Sequence, residues 1–253
     1  MIPVPLSIIV CVKNEEKRLH DCLKSVYGWA KEIVIIDDES TDKTVEIAKQ
    51  YTDRILFRKM DIEGVHRNWA NDQGTCEWAL VLDADEILTE ELKKEIEDEL
   101  ANPQADVYGI PHRNYIGDYW LQYGGQYPAP QLRLFRKGHL KSEEVEVHPI
   151  VRATGKVKFL TKDTIHKSYR DFTHYLTKLN NQTTAEATKM FKSNKKFTFG
   201  KYFWRAVDRF FRTYVAKKGY KDGLIGFMVA FFNSAYQIIS YAKYWEMTQK
   251  KQS

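Results

Sequence analysis

"ALVLDADE" (Ala79–Glu86) decides how this chain is read. Four apolar residues run straight into three carboxylates, Asp83, Asp85 and Glu86. Burying even one unpaired carboxylate is costly, so an apolar strand that ends this way must give its acids either solvent or a partner. The segments before it repeat the pattern. "LSIIVCV" (Leu6–Val12), "EIVIIDD" (Glu32–Asp38) and "RILFRK" (Arg54–Lys59) are short apolar runs of the kind expected for strands buried on both faces. Between them come helical patterns. Glu15–Trp29 places Leu19, Cys22, Leu23 and Val26 on one face, Ser40–Tyr51 opens with cap-type residues, and Gly64–Trp78 precedes the fourth strand. "TEELKKEIEDEL" follows, with Thr89 as its expected N-cap. Strand–helix alternation with short links predicts a parallel sheet covered by helices. Ligands of such sheets bind beyond the carboxyl ends of the strands. "KNEE", "DDES" and "DADE" all stop there.

Asp83 and Asp85 are two residues apart, so a strand that persists to its end would project both to one side. Two such carboxylates repel unless a cation sits between them or one is protonated. Mg²⁺ or Mn²⁺, with phosphate oxygens completing the shell, suits an all-oxygen site. The competing reading is a solvated turn after a strand. Asp37 and Asp38 have a plainer alternative too, as caps of the next helix, and Glu15 is favoured at a helix start by the dipole alone.

Composition frames these motifs. The chain has 253 residues, 43% hydrophobic and 29% charged, which is enough for a sizeable globular core. Its net charge of +5 is mild. Cys11, Cys22 and Cys76 lack metal-ligand spacing and read as core thiols of a cytosolic protein. The N-terminus enters a strand at once, without the basic and apolar regions of a signal peptide.

The four ordered motifs "SIIVCVKNEE", "IVIIDDESTDKT", "GVHRN" and "LVLDADE" resemble the family 2 inverting glycosyltransferases, which have the GT-A fold. In the second half "QLRLFRKG", "EVHP", "TIHKSY", "KLNNQTTAEA" and "GYKDGLIGF" are similar to the branch containing bacterial lipopolysaccharide-core β-1,4-glucosyltransferases. The resemblance implies an α/β fold with a mixed, mainly parallel sheet, helices on both faces and a C-terminal helical extension. The expected organisation is a catalytic domain over 1–168, with a nucleotide-sugar half (1–102) and an acceptor half (103–168), and a helical extension over 169–253.

The resemblance also implies site roles. Asp38 accepts the uracil N3–H, and Cys11 and Glu15 line the base and ribose pocket. Arg67 lies near the uracil or diphosphate, where a surface helix arginine is the plainer reading. Asp83 faces the ribose and the metal, and Asp85 binds the metal. The donor is a UDP-sugar, and a divalent ion and an arginine stabilise the charge that develops on the departing diphosphate. In many GT-A enzymes a downstream histidine adds a metal ligand, and His166 of "TIHKSY" stands in that place, with a hydrogen-bonded core histidine as the alternative.

Residues 105–167 turn to aromatics, Gly and Pro and suit an acceptor-binding flap. An inverting transfer needs one general base for the acceptor hydroxyl. If "SEEVEVHP" is a strand, Glu144, Glu146 and His148 share a face, with Glu146 the expected base and Glu144 behind it. Close relatives often carry an acid just after the matching histidine; here Pro149 excludes it. His148 reads as structural or acceptor-facing. Arg133 and Arg136 fall on opposite sides of a strand, which leaves Arg133 as the contact to acceptor or donor phosphate.

From Tyr169 the pattern is helical. Residues 192–221 interleave basic and aromatic side chains, a composition suited to an anionic membrane surface. The following "LIGFMVAFFNSAYQIISYAKYW" is interrupted by Asn233, Ser234 and Gln237 and reads as an interfacial or buried helix, not a membrane span. Packing within the protein or in a homo-oligomer competes with the membrane reading. Nucleic acid is not expected, since the strand-end acids would repel phosphates and no binding motif is present. The combined expectation is a metal-assisted hexosyltransferase, cytoplasmic or peripheral on the inner face of the plasma membrane, acting on a glycan or lipid-linked acceptor. A sugar nucleotidyltransferase, a non-catalytic basic membrane module and a peptide acceptor are the alternatives. The first is disfavoured because "KNEE" lacks the glycines its phosphate loop needs.

Overall fold

A computed structural model describes residues 3–145, 149–193 and 197–250. In chain order the first elements are β1 (Val4–Val12), α1 (Leu19–Val26), β2 (Ala30–Asp37), α2 (Thr44–Ala48), β3 (Ile55–Phe57), α3 (Glu63–Asn71), β4 (Trp78–Asp83), β5 (Glu86–Leu88) and α4 (Glu90–Ala101). Short strands follow: β6 (Val107–Ile110), β7 (His112–Ile116), β8 (Tyr119–Trp120), β9 (Gln131–Arg136), β10 (Leu140–Ser142), β11 (Val151–Ala153), β12 (Val157–Phe159) and β13 (Thr164–Tyr169). The chain ends in α5 (Phe172–Lys192), α6 (Phe199–Phe211), a π turn at Arg212–Ala216, a 3₁₀ turn at Gly219–Asp222 and α7 (Gly223–Lys250).

Seven strands form one sheet in the order β12-β6-β9-β4-β1-β2-β3. Every neighbouring pair is parallel except the two made by β9. The sheet is apolar on both faces because helices cover both. Leu19, Leu23, Val26, Leu92 and Ile96 of α1 and α4 pack with Leu6, Ile8 and Val10. On the other face Ala70 of α3 packs with Ile9, Val34, Ile36 and Phe135. The mixed, mainly parallel α/β architecture expected for the GT-A class is therefore present.

Register explains why the acids converge. Cys11 of β1 lies opposite Asp83 of β4, and Val12 opposite Asp37 of β2. Consecutive parallel strands thus deliver their carboxyl-terminal residues to one edge. The loops beyond them are knitted by side chains. Ser40 Oγ accepts from Asn14 N (2.9 Å), Thr44 Oγ1 from Glu15 N (2.7 Å) and Asp42 Oδ2 from Glu16 N (3.2 Å). These bonds hold residues 14–16 out of helical conformation, so α1 begins at Leu19 and not at Glu15. The same diversion of cap-type side chains shortens α2 to Thr44–Ala48.

Two compact units emerge, one of residues 1–112 and 129–166, the other of 113–128 and 167–253. In the second, Tyr175 of α5 and Val229 of α7 form a core with Ile116 and Leu121. The buried Asp222 carboxylate accepts from Tyr123 N at 2.9 Å, which ties the 119–126 loop to the turn before α7. Segment 113–128, expected within an acceptor half, thus belongs with the C-terminal helices.

One local expectation fails. Residues 143–145 are not a strand. β10 ends at Ser142 and pairs antiparallel with β11, and Glu143 N donates to Ile150 O at 2.9 Å. Val145 N turns back onto Glu143 O at 2.8 Å. Glu144 therefore sits at a hairpin end, and the shared strand face proposed for Glu144, Glu146 and His148 does not hold through it.

Candidate active site

All described candidate residues belong to the first unit, and most gather at the carboxyl edge of its sheet. Asp38 is buried beside β1: Lys13 Nζ donates to its Oδ2 at 2.9 Å and Met60 N to its Oδ1 at 2.8 Å. Burial alone would raise its pKa, but the Met60 and Lys13 hydrogen bonds outweigh it and hold Asp38 below the ordinary carboxylate range. Each carboxylate oxygen keeps lone-pair capacity for a further donor.

Asp83 ends β4. Arg133 Nη2 donates to its Oδ2 at 2.5 Å, and Arg67 Nη1 lies 3.9 Å from Oδ1. Burial pushes its pKa up, but the two guanidinium groups dominate and depress it strongly. Arg67 is held from behind by Glu63 of its own helix at 2.9 Å. Cys11 lies between these groups, and burial pushes its thiol up to about 12. It is a neutral wall, not a thiolate nucleophile. A cavity of about 30 Å³, lined by Cys11, Arg67, Asp83, Leu132 and Arg133 among others, opens here. That volume admits one water-sized group. Larger grooves near Pro5, Trp29 and Trp78 lie at the amino ends of the strands, away from the acid cluster.

β4 does not persist through the motif. It stops at Asp83, turns, and restarts as β5 at Glu86. Asp83 and Asp85 therefore face different partners, contrary to the same-side expectation. Arg18 Nη1 donates to Asp85 Oδ2 at 3.0 Å, and His166 Nε2 lies 3.4 Å from Asp85 Oδ1. Burial would lower the His166 pKa, but the Asp85 hydrogen bond and the charges of Asp85, Glu86 and Asp83 raise it overall. Arg18 also grips Glu15 with two hydrogen bonds of 2.8 and 2.6 Å. Glu15 is thus joined to the motif through an arginine.

The countercharge that the paired acids require is supplied partly by the protein. Among the described residues, no three His, Cys, Asp or Glu side chains are placed to hold a metal. Asp85 and His166 nonetheless suit adjacent positions on one ion. Two ligands at about 2.1 Å from a metal, at octahedral or tetrahedral angles, stand roughly 3.0–3.4 Å apart.

Glu86 has a different role from its neighbours. It is fully buried; its Oε1 accepts from Arg133 at 2.6 Å and faces His112 Nε2 at 2.8 Å, and its Oε2 accepts from Asp83 N at 3.1 Å. It is the anchor that fixes the turn after β4. Arg133, expected to contact a phosphate, is spent on Asp83 and Glu86, and both acids raise its pKa against its burial.

α3 supports the edge of the site. Gly64 N donates to Val145 O at 3.3 Å, and a Cβ on Gly64 would stand 1.8 Å from Glu143 O. Only glycine allows this approach. Asn68 clasps Ser142 at both backbone groups, at 2.9 and 2.7 Å. The "GVHRN" motif therefore seats the end of β10 beside Arg67. The Glu144 side chain is exposed and near Lys141 at 3.5 Å. Glu146 and His148 lie outside the described residues.

The family 2 glycosyl transferase profile matches residues 7–237. The chain belongs to glycosyl transferase family 2. Among curated relatives, the lipopolysaccharide core biosynthesis glycosyltransferase LpsC of Rhizobium meliloti is 28% identical, over 97% of this chain and 94% of its own length. An uncharacterized glycosyltransferase of Rickettsia typhi, RT0209, is 24% identical over 98% and 89%. Among solved structures, S. aureus TarS 1-349 aligns with a TM-score of 0.49 and 17% identity, covering 94% of this chain and 87% of TarS. The protein is a glycosyltransferase.

Sequence reasoning missed Lys13, Arg18, His112 and Asn68 in this enzyme. Lys13 and Arg18 flank "NEE" within one turn, and basic residues so close to an acid-bearing loop were the available signal. His112 carried none, since its partner Glu86 is 26 residues away.

Proposed function

We propose that this glycosyltransferase moves a hexose from a UDP-sugar to a membrane-associated glycan or lipid-linked acceptor of the lipopolysaccharide-core type, with inversion. The observation that carries the donor half is the convergence of Asp38, Arg67, Asp83 and Asp85 at one sheet edge. Asp38 accepts the N3–H of uracil, with Lys13 and Met60 N fixing its carboxylate. Cys11 and Glu15 bound the base and ribose pocket, and Asp83 faces the ribose. Arg67 meets the diphosphate. Asp85 and His166 would hold the divalent ion, whose chemistry is to neutralise charge on the leaving diphosphate.

The transfer is a single displacement. The acceptor oxygen attacks the anomeric carbon as the bond from that carbon to the UDP oxygen breaks on the opposite face. The acceptor proton passes to a glutamate, Glu146 or Glu144. Seating of Ser142–Val145 on α3 by Gly64 and Asn68 supports a base carried by this hairpin, because it holds Glu144 on the segment bound to the Arg67 helix. His148 would assist the acceptor, while Arg133 acts through the carboxylates of Asp83 and Glu86 that it holds. The lipopolysaccharide assignment rests on similarity to LpsC along nearly the full length of both chains. A cytoplasmic site of action, where nucleotide sugars are supplied, is part of the same proposal.

A screen of UDP- and GDP-sugars by thermal shift with Mn²⁺ tests the donor. A cognate UDP-sugar at 100 Kd should raise Tm by roughly 5–10 °C. Stabilisation by a GDP-sugar but by no UDP-sugar would contradict the reading of Asp38.

A further inference from the structure

The second unit leaves a large apolar surface uncovered. Trp204, Phe211 and Leu224 are 69%, 58% and 73% exposed, and Phe203, Phe227 and Phe231 are also exposed. Single exposed apolar residues are ordinary, but a contiguous patch of them marks an interaction surface. Phe227 and Phe231 belong to one run of touching rings, and Phe211 joins it through Phe210 at 5.8 Å. Phe210 stacks on Tyr214 at 5.4 Å, both rings meet Phe227 edge-on at 5.9 and 5.7 Å, and Phe227 stacks on Phe231 at 6.4 Å. The aromatic ridge thus passes from α6 across to the first turns of α7, beyond the 192–221 segment that its composition singles out.

The charges beside the ridge identify what covers it. α6 buries Tyr202 and Ala206. At 3.6 residues per turn, Phe203, Trp204, Val207 and Phe211 occupy one flank, and Lys201, Arg205, Arg209 and Arg212 form a band along the other. Residues 197–221 hold seven Lys or Arg against a single acid, Asp208, which pairs with Arg212. An aromatic face edged by cations in excess of acids matches an anionic lipid surface: rings enter the headgroup boundary while guanidinium groups meet lipid phosphates. A second copy of the chain would bring the same positive band against itself.

We infer that the α6–α7 ridge docks on the surface of an anionic bilayer, with Phe203, Trp204, Phe211, Leu224, Phe227 and Phe231 at the headgroup boundary. This deepens the proposed membrane-associated acceptor and rests on that reading. α7 is long and apolar enough by length and composition to cross a membrane, with a mean hydropathy of 1.4 in its best window. The inference instead lays its first half along the surface.

The test is flotation of the full-length protein with phosphatidylcholine vesicles, with or without phosphatidylglycerol, while Trp fluorescence is followed. Binding to the anionic vesicles, with a blue shift, is expected to fade as salt shortens the Debye length. Replacing Arg205, Arg209 and Arg212 by Gln should weaken it about 100-fold. Leu224→Ser with Phe227→Ser should remove the blue shift. UDP-sugar binding should persist in both variants, which also checks their folding, and its loss in the wild type would count against the donor reading alone. Three results would overturn the inference: vesicle binding indifferent to lipid charge and to both variants; a stable dimer by light scattering that does not bind vesicles; or release from membranes by detergent but not by salt.

Discussion

The carboxyl edge of the sheet and the α6–α7 ridge dispose of their awkward groups in opposite ways. At the sheet edge, acids are met by cations within the same unit: Asp38 by Lys13, Asp85 by Arg18, and Asp83 and Glu86 by Arg133. On the ridge, large rings are left in water and basic side chains outnumber acids. The first is an electrostatic arrangement made in advance, which costs little reorganisation when a charged ligand arrives. The second is unfinished by the protein alone. On the proposals made above, one region would recognise by fixed charge and the other by surface left over.

Removing a partner from each region should expose this contrast. Arg133→Met leaves the fully buried Glu86, and Asp83 at the cleft, without their guanidinium. It should cost about 3–5 kcal/mol, the usual penalty for breaking a buried pair. Calorimetry should show a Tm lowered by roughly 6–20 °C. A loss under about 1 kcal/mol would mean that Arg133 is a ligand contact and not a structural countercharge.

The base comes next. Glu146→Gln should lower transfer about 10²-fold or more while UDP affinity holds. Near wild-type turnover in Glu146→Gln, with collapse in Glu144→Gln, would move the role to the hairpin glutamate that the structure describes.

A smaller effect separates structural from functional acids in the same unit. Glu32 of β2 accepts from Ser7 Oγ, from Thr75 N and Oγ1, and from Arg54 at 2.5 Å. Burial opposes its ionisation, but these hydrogen bonds prevail and its pKa falls to about 2. A depressed folded-state pKa adds stability above the unfolded value of about 4.5, and that stability is lost as pH falls toward 2. Glu32→Gln should therefore cost about 1–2 kcal/mol at pH 7, after allowance for screening, and almost nothing near pH 2. Denaturant titrations at both pH values check it. Equal losses at both would assign the effect to packing. Smallest of all, Leu224→Ser on the ridge should change stability by under about 0.5 kcal/mol, since a side chain already in water has little burial to lose.

Legibility followed sequence distance. β2 and β4 are apolar runs that end in acids and β1 runs on into Glu15, so both the sheet and the gathering of acids at its edge were readable from local pattern. The pairings that define the site were not. Arg18 meets Asp85 across 67 residues and Arg133 meets Glu86 across 47, and no periodicity encodes such contacts. The strand considered for "SEEVEVHP" does not extend through residues 143–145, although their alternation suggested it. Its fate was decided by the α3 residues Gly64 and Asn68, far away in sequence. Past residue 221 the sequence was read as an interfacial or buried helix without a choice between the two, since that stretch is apolar all round and composition hides which face is exposed.

The most direct test of the account is calorimetric titration of UDP into the wild type and Asp85→Ala, each with and without Mn²⁺. Without Asp85, Arg18 keeps Glu15 as its partner and Glu86 still holds the turn after β4, so its loss should leave the fold intact. Wild-type affinity should rise with Mn²⁺, and Asp85→Ala should bind UDP weakly and with no response to the metal. Unchanged Mn²⁺ dependence in Asp85→Ala would contradict the assignment of the strand-end acids to the nucleotide-sugar site.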